Sequence, residues 1–272
     1  MGPAVIQKPA TPPRMYRALR DQLGSIRRVY LRSNRIVRHD DFAQSRETVL
    51  LLHGFFQTRQ VWQIMEDRLR SDGFGVFSFD LGGLFWRLNN RSIDEQARMI
   101  GDKLDGICAR YGLDRFHIVG HSMGGLIART YIQHHGGDRR VKSLVTLGTP
   151  HHGTPTAAIG VWLMAGGLLS RNPMEMVPLS RFMRNLNRDV FPPSIPLTSV
   201  YSTADLICPW RFSELKPRKG NEQMVNRKVK GIGHTALTFD PGVYVLVRQS
   251  LEDAARLWGE RGGTRHEEPE PG

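Results

Sequence analysis

The residues best suited to chemistry fall in Gly120-His121-Ser122-Met123-Gly124-Gly125, a G-x-S-x-G pattern between a predicted strand and a predicted helix. A strand that reverses into a helix so sharply leaves room only for small residues two before and two after the serine. The turn forces the serine into a strained backbone conformation and presents its hydroxyl above the end of the strand. Amide groups at the start of the following helix then face any negative charge that develops there. Ser122 is therefore read as a nucleophile, in preference to the plainer reading of a Gly-rich structural turn.

A serine hydroxyl is a weak nucleophile and needs a base within hydrogen-bond reach. With the nucleophile on such a turn, an acid and then a histidine follow it in the chain. Of the ten histidines, His39, His53, His117 and His121 precede Ser122. His134 and His135 end the next helix, His151 and His152 come before any later strand, and His266 lies in the tail. His234, in Gly231-Ile232-Gly233-His234-Thr235 after the last predicted strand, is the expected base. The candidate acids are Asp138, Glu175, Asp189, Asp205, Glu214 and Glu222, and only Asp205 closes a strand-like run, Leu197 to Asp205. Its role would be to hold the imidazole tautomer without itself taking the proton. Two backbone N–H groups should receive the oxyanion: that of Met123, and that of Phe55 in His53-Gly54-Phe55-Phe56, with Phe56 as the alternative. Gly54 would let that loop approach closely, and His53 reads as an orienting hydrogen-bonder.

The elements that must position these residues alternate. Thr48–Leu52 is a continuous apolar run, as expected of a strand buried on both faces. Further strands are expected at Gly75–Leu81, Phe116–Gly120, Val141–Leu147, Pro196–Tyr201 and Asn226–Lys230. Helical spacing covers Val61–Leu69, Ile93–Tyr111, Gly124–His135 and Val243–Leu257. Strands separated by helices at this spacing imply an α/β fold with a mainly parallel sheet covered on both sides. Three regions are expected: a basic extension over 1–45 with an amphipathic helix at Arg14–Tyr30, one domain over 46–258, and a flexible Gly-, Glu- and Pro-rich tail over 259–272.

The 272 residues, 40% hydrophobic and 24% charged, carry enough apolar material for a full core and too much for disorder. Cys108 and Cys208 are too few for a disulfide scaffold and read as free, buried thiols. The longest apolar run, Ala157 to Leu169, is 13 residues, whereas a membrane-spanning helix needs about 20. Met1–Thr11 lacks the apolar core of a secretory signal, so a cytoplasmic location is expected. Ten Lys/Arg against three Asp in residues 1–46 account for +7 of the net charge of +12. Such an extension suits peripheral contact with an anionic membrane, while the plainer reading is a helix packed on the domain with a solvated Arg face. Nucleic acid is not expected, because the basic residues lack the interleaved aromatics of a nucleic-acid groove.

His53-Gly54, Gly120–Gly125, Gly148-Thr149-Pro150-His151-His152-Gly153-Thr154, Asp205 and His234 together resemble the α/β-hydrolase superfamily, and within it bacterial triacylglycerol lipases and related carboxylesterases. The resemblance runs from Thr48 to Leu257. The Gly148–Thr154 segment is similar to a lipase signature, as is Met176-Val177-Pro178-Leu179-Ser180 before Phe182 and Leu186-Asn187. It implies ester hydrolysis through an acyl-enzyme with no cofactor. No metal site can be located: adjacent His151 and His152 point differently, with no carboxylate or Cys at ligand spacing. The insertion over about 151–193 would form a helical lid or cap against the acyl chain, with Trp162, Leu163 and Met164 as lining residues and Phe56, Phe85 and Trp86 as further wall. Thioesterase, amidase or acyltransferase chemistry would use the same triad. A membrane-binding module with an inert core is disfavoured because every catalytic position holds a competent residue.

Overall fold

The computed structural model describes residues 42, 45–55, 57–79, 91–163, 172–217 and 223–263. The expected N-terminal helix at Arg14–Tyr30 lies outside the described residues. Six strands, β1 Thr48–Leu52, β2 Gly75–Ser78, β3 Phe116–His121, β4 Val141–Leu147, β5 Leu197–Ser202 and β6 Met224–Val229, form one sheet in the order β2-β1-β3-β4-β5-β6. Every neighbouring pair is parallel.

Strand β1 shows why its run is apolar throughout. Leu50 and Leu52 enter one core cluster, while Val49 and Leu51 enter the other. Successive side chains leave a strand on opposite faces, so a strand covered on both sides can carry apolar residues at consecutive positions. The first cluster packs beneath α2 (Ile93–Tyr111) and α3 (Met123–His134) through Ile93, Ala97, Ile100, Leu104, Leu126, Ile127 and Tyr131. The second packs beneath α1 (Gln63–Ser71) and the last helix, α8 (Pro241–Gly263), through Met65, Leu69, Val243, Val247 and Leu251.

Helix α2 starts where Ser92 and Glu95 cap each other reciprocally, and it ends at Gly112, whose φ of 66° a residue with a Cβ resists. Between β4 and β5 lie α4 (Thr156–Leu163), α5 (Asn172–Glu175) and α6 (Arg181–Arg188). After β5 comes the short α7 (Trp210–Ser213).

Several expected bounds shift, among them that of β6, which runs Met224–Val229 rather than Asn226–Lys230. Strand β2 ends at Ser78 rather than Leu81, and α8 continues through Gly263, although Gly259 begins the stretch read as a tail. A helix already anchored by Val243, Val247 and Leu251 continues through Gly259 to end at Gly262 and Gly263, each interior glycine costing only about 1 kcal/mol relative to alanine. Cys108 and Cys208 are free and buried. Among the described residues no helix is long and apolar enough to cross a membrane.

Candidate active site

Ser122 stands between the last residue of β3 and the first of α3, with φ 53° and ψ −125°. For a residue bearing a Cβ this is a sparsely populated conformation that persists only when its surroundings impose it. The surroundings are visible atom by atom. A Cβ on Gly120 would lie 2.7 Å from Gly125 Cα, and one on Gly124 would lie 2.3 Å from Leu52 O and 2.6 Å from His53 O. Ser122 N–H donates to Leu147 O at 2.9 Å, and Gly125 N–H donates to Ser122 O at 3.1 Å. The Ser122 side chain makes no capping bond to α3. Met123, the first residue of that helix, has an N–H with no acceptor one turn back.

The loop after β1 closes against this turn. A Cβ on Gly54 would meet Ser122 Cβ at 2.8 Å, so only glycine allows this approach. Gly54 N–H donates to Gln57 Oε1 at 2.9 Å, and His53 Nδ1 donates to Gly54 O at 2.9 Å. Both bonds hold the main chain of Gly54, on the N-terminal side of Phe55, and His53, expected as an orienting hydrogen-bonder, contributes one of them.

Asp205 and His234 meet directly. His234 Nδ1 donates to Asp205 Oδ2 at 2.6 Å, and both side chains are buried. The other carboxylate oxygen, Oδ1, accepts the Ile207 and Cys208 amides at 2.9 and 2.8 Å. With Oδ2 committed to the imidazole and Oδ1 to the backbone, the carboxylate has one orientation. Burial, then the neighbouring Asp205, pushes the Cys208 thiol well above its ordinary value, so it stays protonated and inert.

The Gly148–Thr154 segment packs against all of these parts. Gly148 has φ 56°, and a Cβ there would meet Asp205 Oδ2 at 3.0 Å and His234 Nδ1 at 3.2 Å. Thr149 Oγ1 donates to Ser122 O at 2.9 Å. Gly153, at φ 79°, lies against Pro178 N and Met176 O, and Thr154 N–H donates to Met176 O at 2.8 Å. Buried His151 joins Thr146 Oγ1 through Nε2 at 3.0 Å, while its carbonyl accepts Asn187 Nδ2 at 2.8 Å. Arg129 of α3 donates to Asn187 Oδ1 and Leu186 O, each at 3.2 Å. Burial, then Arg129, keeps His151 neutral by holding its pKa well below the usual histidine value. His152 Nε2 donates to Glu214 O at 3.0 Å, so the adjacent histidines do diverge.

Two further residues border the site: Gln57, which the sequence does not single out, and His121, which it notes only as preceding Ser122. Gln57 and His121 join the loop after β1 to the loop carrying His234: His121 Nδ1 lies 2.8 Å from Gln57 Oε1, and Nε2 lies 3.0 Å from His234 O. Of the expected pocket residues, Phe56, Phe85, Trp86 and Met164 lie outside the described residues, as do the side chains of Trp162 and Leu163 in α4.

Comparisons with known proteins agree with this architecture. Residues 47–168 match the family model described as alpha/beta hydrolase fold. A triacylglycerol lipase of Pseudarthrobacter phenanthrenivorans is 29% identical over 128 residues, 43% of this chain and 37% of that protein. One of Burkholderia plantarii is also 29% identical over 128 residues, again 43% of this chain and 33% of its own length. The match thus spans about a third of each lipase. The crystal structure of Bacillus licheniformis lipase BlEst2 in mature form superposes with a TM-score of 0.63 at 16% identity, over 79% of this chain and 95% of that one. The all-parallel sheet, the family-model match over residues 47–168 and the superposition on BlEst2 give the chain the α/β-hydrolase fold, and part of it is similar in sequence to triacylglycerol lipases.

Proposed function

We infer that the chain hydrolyses carboxylic esters through an acyl-enzyme. The observation that carries this reading is the 2.6 Å bond from His234 Nδ1 to Asp205 Oδ2, in a site where Ser122 is held at φ 53° at the head of α3. With Nδ1–H given to Asp205, the His234 tautomer leaves Nε2 as a lone pair able to take a proton. Ser122 Oγ attacks the ester carbonyl while Nε2 accepts its proton. The tetrahedral oxyanion is received by the Phe55 and Met123 amides. Collapse breaks the ester C–O bond, and His234 returns the proton to the leaving alcohol. Water then repeats the sequence on the acyl-enzyme, and Asp205 stays ionised throughout.

The preferred substrates in this reading are acyl-lipid esters. Support comes from the helical insertion between β4 and β5, where Ile159, Met174 and Leu179 expose large apolar side chains at 61%, 47% and 77%. The acyl chain would lie along the 151–193 insertion, with Phe56, Phe85, Trp86, Trp162, Leu163 and Met164 as its walls. The basic N-terminal residues would give peripheral contact with an anionic lipid surface.

Hydrolysis of p-nitrophenyl esters from C2 to C16, comparing the wild type with Ser122→Ala, tests both parts. A Ser122-dependent rate that peaks at C8 or longer is expected. A Ser122-dependent peak at C2–C4 would make the protein a small-ester esterase. No hydrolysis at any length would transfer the machinery to thioesters, amides or acyl transfer.

A further inference from the structure

His121 precedes the nucleophile, so chain order gives it no part in the proton path, yet its ring reaches both loops that flank Ser122. It is wholly buried. Nδ1 lies 2.8 Å from Gln57 Oε1, which also accepts Gly54 N–H at 2.9 Å. Nε2 lies 3.0 Å from His234 O. The ring stands 4.6 Å from the His234 ring at a tilt of 50°, and Trp62 meets it edge-on at 6.3 Å. One side chain therefore bridges the loop that presents Phe55 and the residue read as the base.

Both partners of the ring present oxygens, and a neutral imidazole has a single N–H. The imidazolium would serve both, but burial first, and then His234, holds the pKa of His121 well below the ordinary histidine value. One proton must be shared between two acceptors. Gln57 Oε1 already receives Gly54 N–H at 2.9 Å, whereas the His234 carbonyl's other donor, Leu237 N, stands at 3.3 Å. The less satisfied acceptor is the base's own carbonyl. Turning the Gln57 amide end for end would offer Nδ1 a donor at the expense of the Gly54 bond.

We propose that His121 is a positioning residue: its neutral ring donates Nε2–H to the His234 carbonyl and sets the distance of the base from Ser122. This rests on the ester-hydrolase reading above. A neutral ring suits the place, because His234 must become positive during the reaction and a second charge at 4.6 Å would oppose it.

The test separates the two ring contacts. Glutamine carries its amide nitrogen close to where a histidine has Nε2, and asparagine close to where it has Nδ1. His121→Phe and His121→Asn should lower kcat roughly 10- to 100-fold with KM within about twofold, the effect of a misplaced base. His121→Gln should recover the rate to within about fivefold of wild type. Asparagine restoring the rate better than glutamine, or the phenylalanine variant keeping full kcat, would overturn the proposal. A second readout needs no turnover: the low-field NMR signal of His234 Nδ1–H, recorded in Ser122→Ala, should stay sharp with glutamine and broaden with phenylalanine or asparagine. If that pattern holds while the wild type cleaves no ester, the hydrolase reading falls and the positioning role stands. If esters are cleaved while neither rates nor signal respond to His121→Phe, the positioning role falls alone.

Discussion

Strand β3 carries two buried histidines at its opposite ends, His117 and His121, and they are held in contrasting ways. His117 lies 2.7 Å from Ser143 Oγ and 3.0 Å from Glu47 Oε2, and Lys142 Nζ reaches the same carboxylate oxygen at 2.8 Å. Burial lowers the pKa of His117, but the Glu47 carboxylate works against that shift. Burial likewise raises Glu47, yet the bonds from His117 and Lys142 outweigh it and bring the carboxyl down to about 2. His121 instead faces two neutral oxygens, those of Gln57 and the His234 main chain. The same residue type, on one strand and equally buried, thus sits in a charge-compensated lock at one end of the sheet and in a neutral frame at the other. Burial is the largest cause at both rings and lowers both pKa values; the difference is that the Glu47 carboxylate opposes it at His117, whereas the nearby His234 adds to it at His121. The contrast suggests that the N-terminal end of the sheet serves stability and the C-terminal end serves reactivity.

Four substitutions test that division, in order of falling effect on activity. Ser122→Ala should lower ester kcat by about 10⁴-fold or more while the protein stays folded; a variant keeping a tenth of the rate would place the nucleophile elsewhere. Gly148→Ala forces a Cβ toward Asp205 Oδ2 and His234 Nδ1 at a φ of 56°. Its kcat should drop about 100-fold, with a melting temperature lowered by strain that costs about 1–3 kcal/mol. Unchanged kinetics would mean that this contact does not fix the acid–base pair. Thr149→Val removes the 2.9 Å bond to Ser122 O at nearly constant volume. A loss of about 1 kcal/mol in transition-state stabilisation would appear as a rate reduced roughly fivefold.

Glu47→Gln should leave kcat/KM unaltered and act on stability alone. Because the folded pKa of Glu47 lies below its ordinary value of 4.5, at about 2, its contribution is complete above pH 4.5 and is lost as pH falls through 2. The melting temperature of the glutamine variant should therefore fall short of wild type at pH 7, and the gap should close between pH 4.5 and 2. A gap that persists in acid, or a loss of activity at neutral pH, would end the division between the two sheet ends.

What could be read from the sequence follows from how local its physical cause is. Strand β1, helix α2 and strand β4 fall at the expected residues, because two-sided burial or a single helical stripe leaves its mark on consecutive positions. The glycines around Ser122 are equally legible, since the G-x-S-x-G pattern is written in consecutive residues, although at Gly124 the atoms that exclude a Cβ are Leu52 O and His53 O from β1 and its loop. Gln57, Thr149 and the His121 contact are not. Gln57 acts through Gly54 and His121, Thr149 through the Ser122 carbonyl, and His121 through a carbonyl far along the chain. Each role exists only once the sheet has brought three loops to one edge, and no spacing records it. The end of α8 was missed for a related reason: Gly259 weakens a helix locally, but residues earlier in α8 anchor it to the sheet.

The way Asp205 is gripped bears on how this protein can change over generations. Its Oδ1 is held by the main-chain amides of Ile207 and Cys208 rather than by side chains. Leu206 and Ile207, in the loop that supplies this grip, are 45% and 40% exposed. Their side chains can therefore be exchanged without loosening the acid, provided the backbone keeps its path. If Asp205 and His234 act as proposed, the rim beside them is open to drift while the hydrogen-bonded pair stays fixed, so new substrate preferences could be sampled there without disturbing it.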